Sequence, residues 1–132
     1  MVLSTGVDLV ELTRVQRLTE RYGGRFLTRV YTPAELRHCR ERVPELAARF
    51  AAKEAVAKAL GVGLRILALD GVGWHEVETL SDSRGKPLVY LHGSAAARAA
   101  LLGLNHWSIS LSHGRDVVVA FVVAMGGPEL GN

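Results

Sequence analysis

The sequence predicts an α+β domain in which an antiparallel sheet packs against helices. A strand-like segment opens the chain and is followed by apolar residues at helical spacing, whereas the second half holds two pairs of strand-like segments joined by short polar turns. Strands joined by tight turns pair antiparallel, and helices bury their apolar stripe against such a sheet. The predicted order is β-α-α-α-β-β-α-β-β.

The first half begins with a strand over residues 2–10, near whose end Asp8 interrupts the apolar residues. A helix is predicted over 11–22, because its apolar residues recur at intervals of three and four. The glycine pair at 23–24 is expected to interrupt this helix.

Two more helices follow before the middle of the chain. Thr32 and Glu35 have the spacing of a capping box at a helix start. This helix should end just before Pro44, since the residue preceding a proline avoids the helical conformation. The strongest helical pattern covers 45–60, with Gly61 as the C-terminal cap.

The second half is divided by turns into shorter elements. These are a loop over 61–73, strands over 74–80 and 86–92, a helix over 93–104, and strands over 106–112 and 116–125. Asp82 and Gly85 suit a hairpin turn between the first two of these strands. We expect a single domain over 1–126 and a C-terminal tail over 127–132.

Composition and charge limit the function classes. The chain has one cysteine, no apolar run long enough to span a bilayer and no basic segment ahead of an apolar one at the N-terminus, so we expect a cytoplasmic protein without a membrane partner. Residues 1–58 hold eleven Lys or Arg against seven Asp or Glu, whereas the remainder holds five against six. The positive charge of the first half indicates an acidic partner or ligand.

Two carboxylates are candidates for a metal site. Asp8 lies in an apolar strand and Glu54 lies among alanines in the strongest helix. Two carboxylates from separate elements are a common way of holding Mg²⁺. The residues alone leave alternatives open: Asp8 as a helix cap, and Glu54 in an ion pair with Lys58 four residues later.

Sequence spacing alone also leaves the role of the Lys and Arg side chains open. Arg49, Lys53 and Lys58 either bind a pyrophosphate or form a solvated face. Lys86 lies on the predicted hairpin turn, and His113 lies at a turn between strands. An arginine row at 14, 17, 21 and 25 suits the phosphates of a nucleic acid or an acidic protein helix, although the few aromatic residues beside it do not indicate base stacking. Cys39 is expected to be a half-buried thiol without a catalytic role.

Five segments in order resemble the holo-(acyl-carrier-protein) synthases, the short type of 4'-phosphopantetheinyl transferase. They are GVDLVEL (6–12), RFLTRVYTPAEL (25–36), ARFAAKEAVAKALGVG (48–63), WHEVETLSDSRGKP (74–87) and SISLSHG (108–114). This resemblance implies Mg²⁺-dependent transfer of phosphopantetheine from coenzyme A to a serine of an acyl carrier protein, leaving adenosine 3',5'-bisphosphate.

The resemblance also implies roles for individual residues. Asp8 and Glu54 would hold Mg²⁺, and Lys58, together with Lys53, would stabilise the pyrophosphate oxygens; the proton of the serine would go to Glu54 or to a metal-bound water. The coenzyme A contacts would include Arg49, Lys86, Pro87 and His113. The acidic helix of the carrier would meet Arg14, Arg21, Arg25 and Arg29.

The same resemblance implies the 4'-phosphopantetheinyl transferase fold in a homotrimer with active sites between subunits. The chain departs from the family at Ala57, where many relatives carry serine, and at Ser108, where relatives often carry histidine. Two alternatives remain: a non-catalytic module of the same fold that docks acidic carrier domains, and a small nucleic-acid-binding protein. Whether the carrier serves a fatty-acid or a polyketide pathway is left open, as is the acceptance of acyl-coenzyme A donors.

Overall fold

The computed structural model describes residues 1–64 and 71–127. Its helices and strands are, in chain order, β1 (Val2–Glu11), α1 (Leu12–Tyr22), α2 (Gly24–Val30), α3 (Pro33–Cys39), α4 (Val43–Ala59), β2 (Val77–Ser81), β3 (Pro87–Leu91), α5 (Gly93–Leu102), β4 (His106–His113) and β5 (Val117–Gly126), with a short 3₁₀ turn at Trp74–Glu76 before β2.

The strands form two antiparallel sheets. One contains three strands in the order β1-β5-β4, and the other is the β2-β3 hairpin. β1 pairs with β5 along its whole length, from Val2 opposite Gly126 to Glu11 opposite Val117. The predicted α+β class is therefore confirmed, with the sheet divided into two parts.

Helix α4 forms the centre of the core and packs against β1 and β5. Twelve of its 17 residues are buried, and most of these are alanines, so the strands approach the helix closely. The closest approach is at Gly6 of β1, where an added Cβ would lie 1.9 Å from the carbonyl oxygen of Ala55. Gly6 therefore allows direct backbone contact between β1 and α4.

The helices before α4 differ from the prediction in two respects. The segment after Gly23 forms the additional helix α2, and Gly23 itself has a φ of 54° that ends α1. The capping box of Thr32 and Glu35 is confirmed at the start of α3, but α3 ends at Cys39 instead of near Pro44. Pro44 lies in the first turn of α4, where its missing N–H would have no partner within the helix.

Some predicted segments fall on residues that the structure does not describe. The loop expected over 61–73 includes residues 65–70, and the expected tail lies outside the described residues except for Gly127. Within the described ranges, no helix has the length and apolar character needed to cross a bilayer.

Candidate active site

Strand β1 and helix α4 bring Asp8, Glu54 and Lys58 together. The Nζ of Lys58 donates to Asp8 Oδ1 and to the carbonyl oxygen of Val7, each at 3.0 Å. The backbone contact at Gly6 sets this spacing, because Gly6 lies two residues before Asp8 and packs directly on the helix that carries the other two side chains.

Asp8 does not cap a helix, so that alternative is wrong. β1 continues to Glu11, which is the N-cap of α1 and makes no side-chain capping bond. The Asp8 side chain is 12% exposed, and its Oδ2 is buried without a hydrogen-bond partner among the described residues. A buried carboxylate oxygen without a donor is costly unless a cation or a ligand supplies one.

Glu54 lies close enough to Asp8 for the two charges to interact. Its pKa is raised, first by burial and second by the charge of Asp8, while Arg14 and Lys58 act in the opposite direction. Glu54 and Lys58 line a cavity of about 210 Å³ together with Trp74. The site therefore combines two carboxylates that repel each other with a cavity beside them.

These carboxylates fit a hard divalent cation. No group of three or more His, Cys, Asp or Glu side chains within the described ranges is arranged to hold a metal ion. Mg²⁺, however, is commonly held by only one or two protein carboxylates, with water and substrate phosphates as the remaining ligands. The unpartnered Oδ2 of Asp8 and the like-charge pair with Glu54 suit such an ion.

A second cavity, of about 360 Å³, contains three of the residues assigned to coenzyme A. Arg49, Pro87 and His113 line it, and Lys86 lies exposed between Gly85 and Pro87 on the same hairpin. Arg49 is almost fully buried and donates to Glu45 Oε2 at 2.6 Å and to Ser81 Oγ at 3.0 Å. Its Nε is buried and has no partner among the described residues.

Among the described residues, none lines both cavities. One cavity is lined by Glu54 and Lys58, and the other by Arg49 and His113. Within one chain, the residues assigned to Mg²⁺ therefore lie apart from the residues assigned to coenzyme A.

The expectation that Lys53 contacts pyrophosphate is corrected by its position. Its side chain is fully buried, and Nζ lies 2.8 Å from Glu35 Oε1. The same ammonium donates to the carbonyl oxygens of Trp74 and Val77 at 2.8 and 2.5 Å. Adjacent residues on a helix point about 100° apart, so Lys53 faces the interior while Glu54 faces the cavity.

The four arginines assigned to carrier docking lie exposed on α1 and α2. Arg14, Arg25 and Arg29 line a hollow of about 460 Å³ that also reaches Glu54. Arg21 lines a neighbouring hollow of about 320 Å³ that shares Arg14. The helix break at Gly23 therefore places arginines of two separate helices around one continuous surface.

The sequence interpretation missed three residues of these cavities. Trp74 lines both cavities that contain Glu54. His38 and Arg42 line the cavity of Arg49. Trp74 is the first residue of a predicted strand and carried no local signal, because its role depends on contact with a helix about 20 residues earlier in the chain.

Comparison with known proteins decides the family. Residues 4–122 match the model of the 4'-phosphopantetheinyl transferase superfamily. The chain belongs to this family. A holo-[acyl-carrier-protein] synthase of Herpetosiphon aurantiacus is 53% identical over 127 residues, which cover 95% of this chain and 100% of that protein. The resemblance inferred from the five sequence segments is confirmed.

Solved structures of the family share the fold. The holo-[acyl-carrier-protein] synthase of Neisseria meningitidis is 37% identical, with a TM-score of 0.81 and coverage of 92% of this chain and 97% of that one. That of Helicobacter pylori, solved in complex with coenzyme A, is 26% identical, with a TM-score of 0.80 and coverage of 92% and 99%.

Proposed function

We propose that this member of the family transfers the 4'-phosphopantetheine group of coenzyme A to a serine of an apo acyl carrier protein, with adenosine 3',5'-bisphosphate as the second product. The observation that carries the proposal is the group formed by Asp8, Glu54 and Lys58, in a chain 53% identical to a holo-[acyl-carrier-protein] synthase. A single buried free cysteine is compatible with a cytoplasmic location.

Asp8 and Glu54 would hold Mg²⁺, which when bound offsets the negative charge of the pyrophosphate. The ammonium of Lys58 has three N–H donors and uses two of them, on Asp8 and on Val7. Its side chain is 56% exposed and no described residue accepts from the third donor, which would bind a phosphate oxygen. In the reaction the serine oxygen bonds to the phosphorus that carries pantetheine, the bond to the bisphosphate oxygen breaks, and the serine proton is lost to a base.

The nucleotide end of coenzyme A would bind the cavity of Arg49, Pro87 and His113. Arg49 supplies a buried guanidinium with an unused Nε, and Lys86 adds an exposed positive charge on the hairpin. Guanidinium groups bind phosphate oxygens well because their donors are fixed in a plane.

Active sites between subunits of a homotrimer would bring the two cavities together. The outer face of the sheet has side chains suited to such an interface: Leu3, Val7 and Leu9 of β1 are 65%, 52% and 57% exposed, and Phe121 of β5 is 45% exposed. Val7 pairs with Phe121 across the strands, so these apolar side chains form one patch. A contiguous exposed apolar patch is typical of a protein–protein interface.

The acidic helix of the carrier would dock on the arginines of α1 and α2. We expect Arg25→Glu to raise the KM for the carrier by about tenfold or more, because a rim charge governs encounter with an oppositely charged partner. The kcat and the KM for coenzyme A should stay unchanged, and the effect of the substitution should shrink as salt rises. Arg37→Glu on α3 is the matched control, since Arg37 is exposed but lies outside this surface. Equal effects of both substitutions would contradict the docking assignment.

The deciding experiment is a mass spectrum of an apo acyl carrier protein after incubation with this protein, coenzyme A and Mg²⁺. A gain of one phosphopantetheine group, absent when EDTA is added, is the expected result. A stable complex without any mass gain would favour the non-catalytic docking module. Binding of nucleic acid that weakens steeply with salt and ignores Mg²⁺ would favour the remaining alternative.

A further inference from the structure

The buried ion pair of Lys53 and Glu35 is not used by the proposed chemistry. Both side chains are fully buried, and the two groups lie 2.8 Å apart. Glu35 accepts from the backbone N–H of Thr32 through Oε1 at 2.9 Å and from that of Thr79 through Oε2 at 3.0 Å. The pair therefore connects α3 and β2 to α4.

Lys53 makes a further connection to the segment just before β2. Its Nζ donates to the carbonyl oxygens of Trp74 and Val77, the residues at the two ends of one short turn. With the Glu35 contact, all three N–H donors of the ammonium have acceptors. The turn is thus fixed to α4 at the residue immediately before Glu54.

Trp74 is the part of this turn that reaches the candidate active site. Its ring lies 5.0 Å from that of Phe50 on α4 and is 8% exposed. It lines both cavities in which Glu54 lies. The position of its ring therefore determines the shape of the cavity wall facing Glu54.

We infer that Lys53 is a positioning residue, whose ammonium fixes the Trp74–Val77 turn to α4 and so holds the Trp74 ring beside Glu54. The inference rests on the proposed function, because the reaction is what the positioned wall serves. Removing the ammonium leaves the carbonyl oxygens of Trp74 and Val77 without this donor and the Glu35 carboxylate without its counter-charge, and the turn then moves to reach other donors.

The test uses tryptophan fluorescence and kinetics on matched variants. The chain has two tryptophans, so Trp107→Phe leaves Trp74 as the only tryptophan. In this background, Lys53→Met should lower the Tm, because a lone buried carboxylate is costly. The double variant Lys53→Met/Glu35→Gln removes both buried charges, and glutamine retains one of the two acceptor oxygens that Glu35 uses. Its Tm should therefore rise above that of Lys53→Met.

A positioning role and a purely structural one give different results in the double variant. Positioning predicts that quenching of Trp74 by acrylamide stays above that of the parent and that kcat stays lower by about tenfold or more, since small displacements at a reacting site are costly. Recovery of quenching and kcat together with the Tm would overturn the inference.

Two further variants complete the experiment. Tyr31→Phe deletes another buried bond, from Tyr31 Oη to the carbonyl oxygen of Leu46, and should leave quenching and kcat unchanged. If the methionine variants do not fold, Lys53→Arg is measured. Its planar guanidinium keeps a charge for Glu35 but does not place one nitrogen between three acceptors. We expect raised quenching and lowered kcat there too, and parental values of both would overturn the inference.

Failure of the proposed function can be distinguished from failure of the inference about Lys53. In that case the parent protein itself would modify no carrier, whereas the quenching comparison would still report whether Lys53 holds Trp74 in place.

Discussion

At the scale of single residues, the candidate site contains polar groups that lack a hydrogen-bond partner or lie beside a like charge. Asp8 Oδ2 is buried without a donor among the described residues, and Glu54 carries a raised pKa through burial and the nearby charge of Asp8. Lys53 lies next to Glu54 and has all of its donors occupied. The unpartnered Asp8 oxygen therefore suits a bound cation, whereas the fully satisfied Lys53 stabilises the fold.

The substitution Asp8→Asn separates metal binding from folding. We expect transfer activity to fall by at least about 100-fold, because even the outer-shell partners of metal ligands cost 10–100-fold when changed. In EDTA the Tm should stay equal or rise, since asparagine relieves the repulsion with Glu54. Asp116→Asn, an equivalent change at the exposed β4–β5 turn, should affect neither quantity. Full activity in Asp8→Asn would refute the metal assignment.

The thiol of Cys39 gives a second prediction at this scale. Burial raises the pKa of this fully enclosed thiol to about 11. A thiol with this pKa is about one part in a thousand ionised at pH 8. Since the thiolate is the reactive form, the reaction of Cys39 in the folded protein should be slow. We expect negligible labelling by a disulfide reagent in the folded protein at pH 8 and stoichiometric labelling in guanidinium chloride. Labelling of the folded protein within minutes would show that this part of the core opens.

At the scale of elements, the spacing of the site comes from backbone contact between β1 and α4. The two elements are about 40 residues apart in the chain, yet they meet at Gly6 and Ala55 without an intervening side chain. Lys58 then reaches Asp8 within hydrogen-bond distance. The alanines of α4 serve the same purpose, because short side chains allow several elements to approach one helix.

The variant Gly6→Ala tests this contact. A methyl group 1.9 Å from the Ala55 carbonyl oxygen must push β1 away from α4. We expect a loss of stability of about 1–3 kcal/mol or more, as for other overpacked sites, and a larger fractional loss of activity as Asp8 moves away from Lys58. Thermal unfolding and the carrier mass assay measure the two effects. Gly24→Ala is the control, since nothing lies within 4 Å of its added Cβ; equal stability of both variants would contradict the contact.

The sequence predicted those features whose residues all lie within one helix, strand or short motif. The capping box at Thr32 and the carboxylates in their motifs were found in this way. The role of Lys53 was not, because helical spacing says nothing about a partner such as Glu35, 18 residues earlier. Helix α2 was also missed. It has only seven residues and begins at the second glycine of a glycine pair, so its helical periodicity is too short to recognise.

At the scale of the whole molecule, the separation of the two cavities is the most informative feature. Residues assigned to one reaction line two cavities that share none of the described residues. The proposed symmetric assembly would resolve this by placing one subunit's cavity against the other cavity of its neighbour. The exposed apolar face of β1 and β5 provides a surface for that contact.

Mixing two inactive variants tests the arrangement. Asp8→Asn and Arg49→Met should each abolish transfer alone, since each removes one half of every site. Trimers reassembled from equal amounts should regain about a quarter of the parental activity, because one interface in four pairs two intact halves. Native mass spectrometry verifies that mixed trimers form. Mixed trimers without activity would place both halves of the site in the same chain.

The pairing of β1 with β5 also has a consequence for how the protein is made. The strand that carries Asp8 precedes every other described element, and its hydrogen-bonding partner at Val117–Gly126 follows them all. At ordinary translation rates these strands leave the ribosome on the order of ten seconds apart. During that interval α4 already exists and can pack against β1, but β1 lacks the strand that pairs with it along its whole length. A nascent fragment that lacks β5 would therefore remain inert.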